Sequence, residues 1–128
     1  MKGETIAWLR YAEENLAVCR LSLERGFHNT CLQNAQQCIE KALKAAVIDK
    51  GLEFRRTHSI QELAGQLTGA GLNAGISEDE CDMIDATYLP SKYPLAVVLP
   101  EMDTDADTCR LCRAIAERVL TTVRKLLA

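Results

Sequence analysis

No stretch of this sequence is apolar for long enough to cross a membrane, because its longest hydrophobic runs are broken by charge. The N-terminus, MKGETIAWLRYAEEN, brings in acids at once. It lacks the apolar segment and small-residue cleavage site of a secretory leader, so the expected location is cytoplasmic. Positive charge is not in excess either. Fifteen Lys and Arg stand against 18 Asp and Glu, a formal net charge of −3, which argues against nucleic-acid binding through bulk charge. Sustained two-residue alternation is missing, and VVL at 97–99 is the one short exception to a lack of β-branched runs, so strands are not expected. Proline is confined to Pro90, Pro94 and Pro100, all within one short region.

What remains is a chain of 128 residues, 48% apolar and 26% charged, enough for one domain with one core. Its six cysteines could be read as a disulfide framework. Five of them instead fall inside helical patterns among other apolar residues, which favours reduced, buried thiols acting as small hydrophobes. Cys109 and Cys112 form a CxxC, but no second CxxC or Cys/His pair completes a four-ligand zinc site. The acids Glu101, Asp103, Asp105 and Asp107 imitate the first half of a calcium loop. The match fails where Thr108 replaces the glycine and Ala114 the final glutamate, and acids at a helix start account for the run more simply. No metal and no cofactor is expected.

Helical periodicity dominates. Ile6, Leu9, Ala12, Leu16, Cys19 and Leu23 define an amphipathic helix stopped by Gly26. A second runs from near Asn29, through Cys31, Leu32, Ala35, Ile39, Leu43 and Val47, to Gly51. The short GFHN link should make these an antiparallel hairpin. Ser59 with Glu62, and Ser77 with Glu80, read as capping boxes that open two shorter helices. ATYLPSKYP (residues 86–94) reads as a loop that ends the second of these. The last helix, starting in the acid run, carries Cys109, Cys112, Ala116, Val119, Val123 and Leu126. The expected fold is all-α, an up-and-down bundle of four or five helices in a single domain over residues 1–128.

Three groups of residues could carry chemistry. On the second helix, Gln33, Gln37, Lys41 and Lys44 share one face, and Glu40 is placed to pair with Lys44; two amides and two cations could hold a base edge and phosphates, or could simply be a solvated face. Arg55, Arg56 and His58 precede the third helix, where backbone N–H groups can also receive an anion. Tyr88, Lys92 and Tyr93 lie in the Tyr-Pro stretch, with rings able to stack on a base or to close the bundle end. Arg110, Arg113, Arg118, Arg124 and Lys125 load the last helix with positive charge that either balances the acids before it or faces a partner.

Taken in order, LERGFHNTCLQNAQQCIEKALKAAVIDKG, RRTHSIQEL and YLPSKYP resemble the landmarks of the HEPN family over nearly the whole chain. That family has a glycine-aromatic turn, a helix carrying AQQ-xx-EKALKA, a Thr-His helix start and a Tyr-x-Pro-Ser/Thr-Arg-Tyr-Pro stretch. The resemblance implies a helical bundle that commonly forms homodimers and is often encoded beside a minimal nucleotidyltransferase. It also implies a nucleotide or RNA ligand, and in many members a ribonuclease or toxin activity. By the same resemblance Gln37, Lys41, Lys44, His58, Tyr88, Lys92 and Tyr93 would contact the ligand, with Arg55 and Arg56 beside it. Lys92 stands where arginine is usual, keeping the charge and losing the bidentate fork, and Leu95 replaces a common aspartate. Ribonuclease members carry an arginine followed, after four to six intervening residues, by a histidine. Here seven residues separate Arg20 from His28, while Arg25, Arg55 and Arg56 are too close to the histidine that follows them. The leading expectation is therefore a non-nucleolytic domain that binds a nucleotide or a nucleotidyltransferase partner. The alternatives are a ribonuclease toxin with a departed catalytic set and a dimerisation module without a ligand.

Overall fold

The computed structural model describes residues 2–92 and 105–128, with only the backbone described for 89–92. It forms five helices: α1 (Gly3–Glu24), α2 (His28–Asp49), α3 (Ile60–Gly69), α4 (Glu78–Lys92) and α5 (Ala106–Leu127). No strand occurs among the described residues.

The long hairpin is set by its stops. At the end of α1, Gly26 takes φ 75°, and the Phe27 and Gly26 N–H groups donate back to the carbonyls of Ser22 and Leu23. Gly51, with φ 69°, closes α2 in the same way through Leu52 and Val47. Both are Schellman closures, in which a residue without a Cβ takes the left-handed conformation at no steric cost. The chain reverses between them, so Asn15 meets Asn34 and Cys19 meets Cys31 across antiparallel α1 and α2.

Helix α2 is the hub, packing against each of the other four helices. Its sequence explains this. Apolar residues cover so much of its circumference that Leu32, Ala35, Cys38, Ile39, Leu43 and Val47 are all buried, on faces that one neighbour could not cover. Trp8 and Leu32 both pack against the core. Leu32 is fully packed, and Trp8 is partly buried against the core with its ring centroid 6.0 Å from that of Phe54. Helix α5 runs beside α1 and α2 with Cys109, Cys112, Ala116, Val119 and Val123 inward, and at its end Leu127 is buried while Leu126 packs against the core half-buried. In α1 the inward residue of the first turn is Thr5, while Ile6 is exposed.

Both predicted caps form. Ser77 and Glu80 exchange reciprocal bonds at 3.0 and 3.1 Å. Ser59 caps Glu62 N–H, but the Glu62 carboxylate turns to Thr57 and Arg55, so this box is half made. The expected loop from Ala86 is a correction: residues 86–92 continue α4. Proline removes one helical hydrogen bond at Pro90. That local cost is outweighed by the anchoring of α4 on α2 and α3 through buried Cys81 and Ile84. Tyr93, Pro94 and VVL at 97–99 lie outside the described residues.

Candidate ligand site on the polar edge of α2

Three residues at four-residue steps on α2, Gln36, Glu40 and Lys44, form a polar row that is buried. Of the four residues read from the sequence as one polar face, Lys44 belongs to this buried row, whereas Gln33, Gln37 and Lys41 are half-buried. Lys44 Nζ donates to Glu40 Oε2 at 3.0 Å, and the side chains are 7% and 4% exposed. Burying two charges costs several kcal/mol per ion unless each is fully coordinated. The coordination is present. Glu40 Oε1 lies 2.9 Å from His58 Nδ1 and accepts from Gln36 Nε2 at 3.3 Å. The Lys44 ammonium lies 5.6 Å from the ring centroid of Trp8 and 5.7 Å from that of Phe54, where the rings' negative faces attract it.

This buried carboxylate fixes an exposed imidazole. His58 sits in the segment before α3, its carbonyl accepts from Gln36 Nε2 at 3.0 Å, and its side chain is 71% exposed. With Nδ1 held by Glu40, Nε2 is left to meet solvent or a ligand. The Tyr88 ring stands 6.2 Å away, tilted by 32°. Gln37 donates to Gln36 Oε1 at 2.8 Å, extending the network towards Lys41. Lys41 donates to Asn15 Oδ1 at 2.8 Å and lies 5.9 Å from the Tyr11 centroid. Asn15 is a neutral amide, so this bond positions the Lys41 charge without neutralising it.

The start of α3 does not offer the anion site that its sequence suggested. Asp85 of α4 already occupies it, accepting from Ile60 N–H at 2.8 Å, Gln61 N–H at 3.1 Å and Ser59 Oγ at 3.2 Å. A carboxylate at a helix N-terminus satisfies orphan donors and complements the dipole. An external phosphate would have to displace it. Arg55 is spread between Glu53 and Glu62 at 3.9 and 3.5 Å, whereas Arg56, two residues before His58, is exposed. The Lys92 side chain and Tyr93 lie outside the described residues, and with them the expected approach of Lys92 to Lys41 and Lys44. The structure thus brings Gln37, Lys41, Lys44, His58 and Tyr88 to one edge, with Arg55 and Arg56 in the segment beside it. Glu40, Gln36 and Asn15 complete the site, and no metal-binding cluster of His, Cys, Asp or Glu occurs among the described residues.

The perturbed acids lie elsewhere. A hydrogen bond from Arg118 at 2.5 Å, with the Ser77 backbone, holds Glu80 below the usual carboxylate range. Burial pushes Cys38 and Cys112 up to about 12, and Cys81 up to about 11. Cys31 is raised by its contact with Cys19, 3.6 Å away, and by burial. All six thiols are free and buried.

The model of the HEPN domain matches residues 6–126. The chain belongs to the HEPN family. Two solved structures share its fold along their length. TT1696 from Thermus thermophilus is 25% identical, with a TM-score of 0.78 and coverage of 97% of this chain and 98% of that one. ST0689, an archaeal HEPN homologue, is 26% identical, with a TM-score of 0.67 and full coverage of both chains. The candidate toxin MJ1304 of Methanocaldococcus jannaschii is 39% identical over 49 residues, which are 38% of this chain and 32% of that protein. As a HEPN domain, the chain carries its family landmarks on the two parts of the α2 edge, AQQCIEKALKA on the helix and RRTHS in the segment that folds His58 back over it.

Proposed function

We propose that this HEPN domain binds a nucleotide, free or as an RNA end, on the α2 edge, and does so as the partner of a minimal nucleotidyltransferase in a toxin-like module. The observation that carries the ligand reading is the exposed His58 imidazole, locked at Nδ1 by buried Glu40 and standing beside Tyr88. A fixed imidazole, an aromatic ring and the unneutralised Lys41 supply a hydrogen bond, a stacking surface and a phosphate contact. The name of the Methanocaldococcus jannaschii relative supports the toxin-like part, over the shared 49 residues. Homodimerisation is expected from the family. A thermal-shift panel of ATP, GTP, UTP and their monophosphates, with and without magnesium, tests the ligand. At least one should raise the melting temperature of the wild type and not of His58→Ala. A panel with no shift counts against the reading.

One observation also favours ribonuclease chemistry without the usual arginine. A buried carboxylate holding one imidazole nitrogen leaves the other free to move a proton at a ribose 2′-hydroxyl. Incubation with total RNA separates the readings, since cleavage abolished by His58→Ala would make the site catalytic.

A further inference from the structure

Helix α1 carries two stripes at helical spacing, and the bundle uses one of them. Leu9, Ala12, Leu16 and Cys19 are buried where α1 packs on α2 and α5. Tyr11, Glu14, Val18, Leu21 and Arg25 follow steps of three, four, three and four, so they share the opposite face in the seam pattern of a coiled coil. All five are exposed, Tyr11 by 57%, Val18 by 37% and Leu21 by 54%. The Schellman closure at Gly26 adds a sixth residue. Phe27 N–H donates to the Ser22 carbonyl at 2.8 Å, which carries Phe27, 62% exposed, back beside the last turn of α1. Four of the seven large apolar residues exposed among the described residues therefore fall on this one strip. Clustering of that kind marks an interaction surface, whereas single exposed apolar residues need no explanation.

The order of residue types along the strip points to its occupant. From Tyr11 it runs aromatic, acid, aliphatic; backwards from Phe27 it runs aromatic, base, aliphatic, with Val18 and Leu21 flanking the midpoint. A two-fold interface needs this self-complementarity, because the same patch serves on both sides. Two α1 helices laid antiparallel about an axis between residues 18 and 21 set Val18 against the partner's Leu21, Glu14 against the partner's Arg25 and Tyr11 against the partner's Phe27. Each pairing then occurs twice. The two charges are available for it. Glu13 and Arg20 of the same helix are committed to Arg124 and Glu117, whereas neither Glu14 nor Arg25 enters an ion pair among the described residues. An anionic lipid surface would accept the apolar side chains but would repel Glu14 between them. From Tyr11 to Arg25 the strip spans roughly 21 Å at 1.5 Å per residue, about four turns. A single helix pair of this length sits at the small end of specific interfaces, which sets the expected dissociation constant in the micromolar range.

We propose that this outer face of α1 pairs with the same face of a second copy of the chain, antiparallel about a two-fold axis between Val18 and Leu21. The proposal rests on the homodimer expected from the family and assigns its interface. Sedimentation equilibrium of the full chain across the micromolar range should give a mass that rises towards twice 14.2 kDa. Leu21→Glu should weaken association at least tenfold, and so should Glu14→Arg or Arg25→Glu alone, each of which sets like charges opposite one another. Mixing the two charge variants should restore dimers to within about threefold of wild type, because acid again meets base at both ends of the mixed pair. All three substitutions replace exposed side chains, and each variant is first checked for a wild-type melting transition; if Leu21→Glu fails it, the mixture decides. A wild type that stays monomeric would remove the homodimer itself and leave this face to a different protein. A dimer untouched by all three substitutions would keep the homodimer and place it on another surface. Either result overturns the proposal, as does a mixture no tighter than its components.

Discussion

The same chemical pair, a glutamate bridging two basic side chains, is built twice in this molecule and with opposite environments. Glu40 joins Lys44 and His58 in a nearly dry setting, whereas Glu117 joins Arg20 and Arg113 at the surface. Around Glu40 the geometry is fixed by packing, amide donors and two aromatic rings, and only His58 emerges. Around Glu117 solvent screens the charges, so the pairs are worth little to stability and the guanidiniums can exchange partners. A buried cluster of this kind can present one atom with precision. An exposed one can adapt to an extended charged surface. We therefore read the first as the ligand site.

The sharpest way to break this contrast is to delete the carboxylate in each place. Glu40→Ala leaves the Lys44 charge buried without its partner, and should cost about 3–5 kcal/mol in denaturant unfolding. Glu117→Ala should cost no more than about 1 kcal/mol. Equal losses would show that the two clusters do not differ as described. The paired substitution Glu40→Leu with Lys44→Met should recover much of the first loss, because it removes both charges at once.

Next in size is the cap on α3. Asp85→Ala abandons three donors at a helix start and should destabilise by about 2 kcal/mol, with hydrogen exchange rising first in α3. It sharpens the comparison by showing whether the segment carrying His58 is held from α4 as well as from α2. If α3 exchange is unchanged, Asp85 is not what holds that segment.

A pH series separates the dry interior from the wet rim. In the unfolded chain thiols ionise near pH 8.5, but in the folded protein burial raises Cys38 and Cys112 to about 12 and Cys81 to about 11. Their contribution is complete below the unfolded value and is lost as pH climbs towards the folded ones. Stability should therefore fall steadily between about pH 9 and 12, and less steeply in Cys38→Ala than in wild type. The smallest effect belongs to Glu80, whose carboxyl is depressed by Arg118. Its contribution is present above the ordinary carboxylate range and disappears as pH falls through the lowered value. Arg118→Ala should flatten only that acidic limb of the stability profile. Thiol counting bears on the interior independently: six reactive thiols are expected after denaturation without reductant, and a lower count would contradict the free cysteines.

Much of this fold is legible in the residues. Gly26 and Gly51 mark the hairpin, Ser59 and Ser77 open α3 and α4, and the cysteine-bearing stripe predicts the buried face of α5. The reading of 86–92 as a loop failed because proline's local cost was weighed without the packing of α4 that offsets it. At the ligand site, periodicity put Gln37, Lys41 and Lys44 on one edge, but it could not show that Lys44 lies under Trp8 and Phe54. Glu40 was visible as a helix-surface pairing partner of Lys44. Its bond to His58, 18 residues away, depends on how the segment after Gly51 folds back, which no local signal encodes. The Asp85 cap is likewise a contact between distant segments.

The most direct test of the central claim, that nucleotide binds at His58 and not among the arginines of α5, is a calorimetric titration with the best nucleotide from the thermal panel. Wild type, His58→Ala and Arg124→Ala are compared at one salt concentration. The account predicts saturable binding to wild type, affinity at least tenfold weaker in a His58→Ala variant that still melts cooperatively, and wild-type affinity in Arg124→Ala. Undiminished binding by His58→Ala, or loss of binding in Arg124→Ala alone, would contradict it.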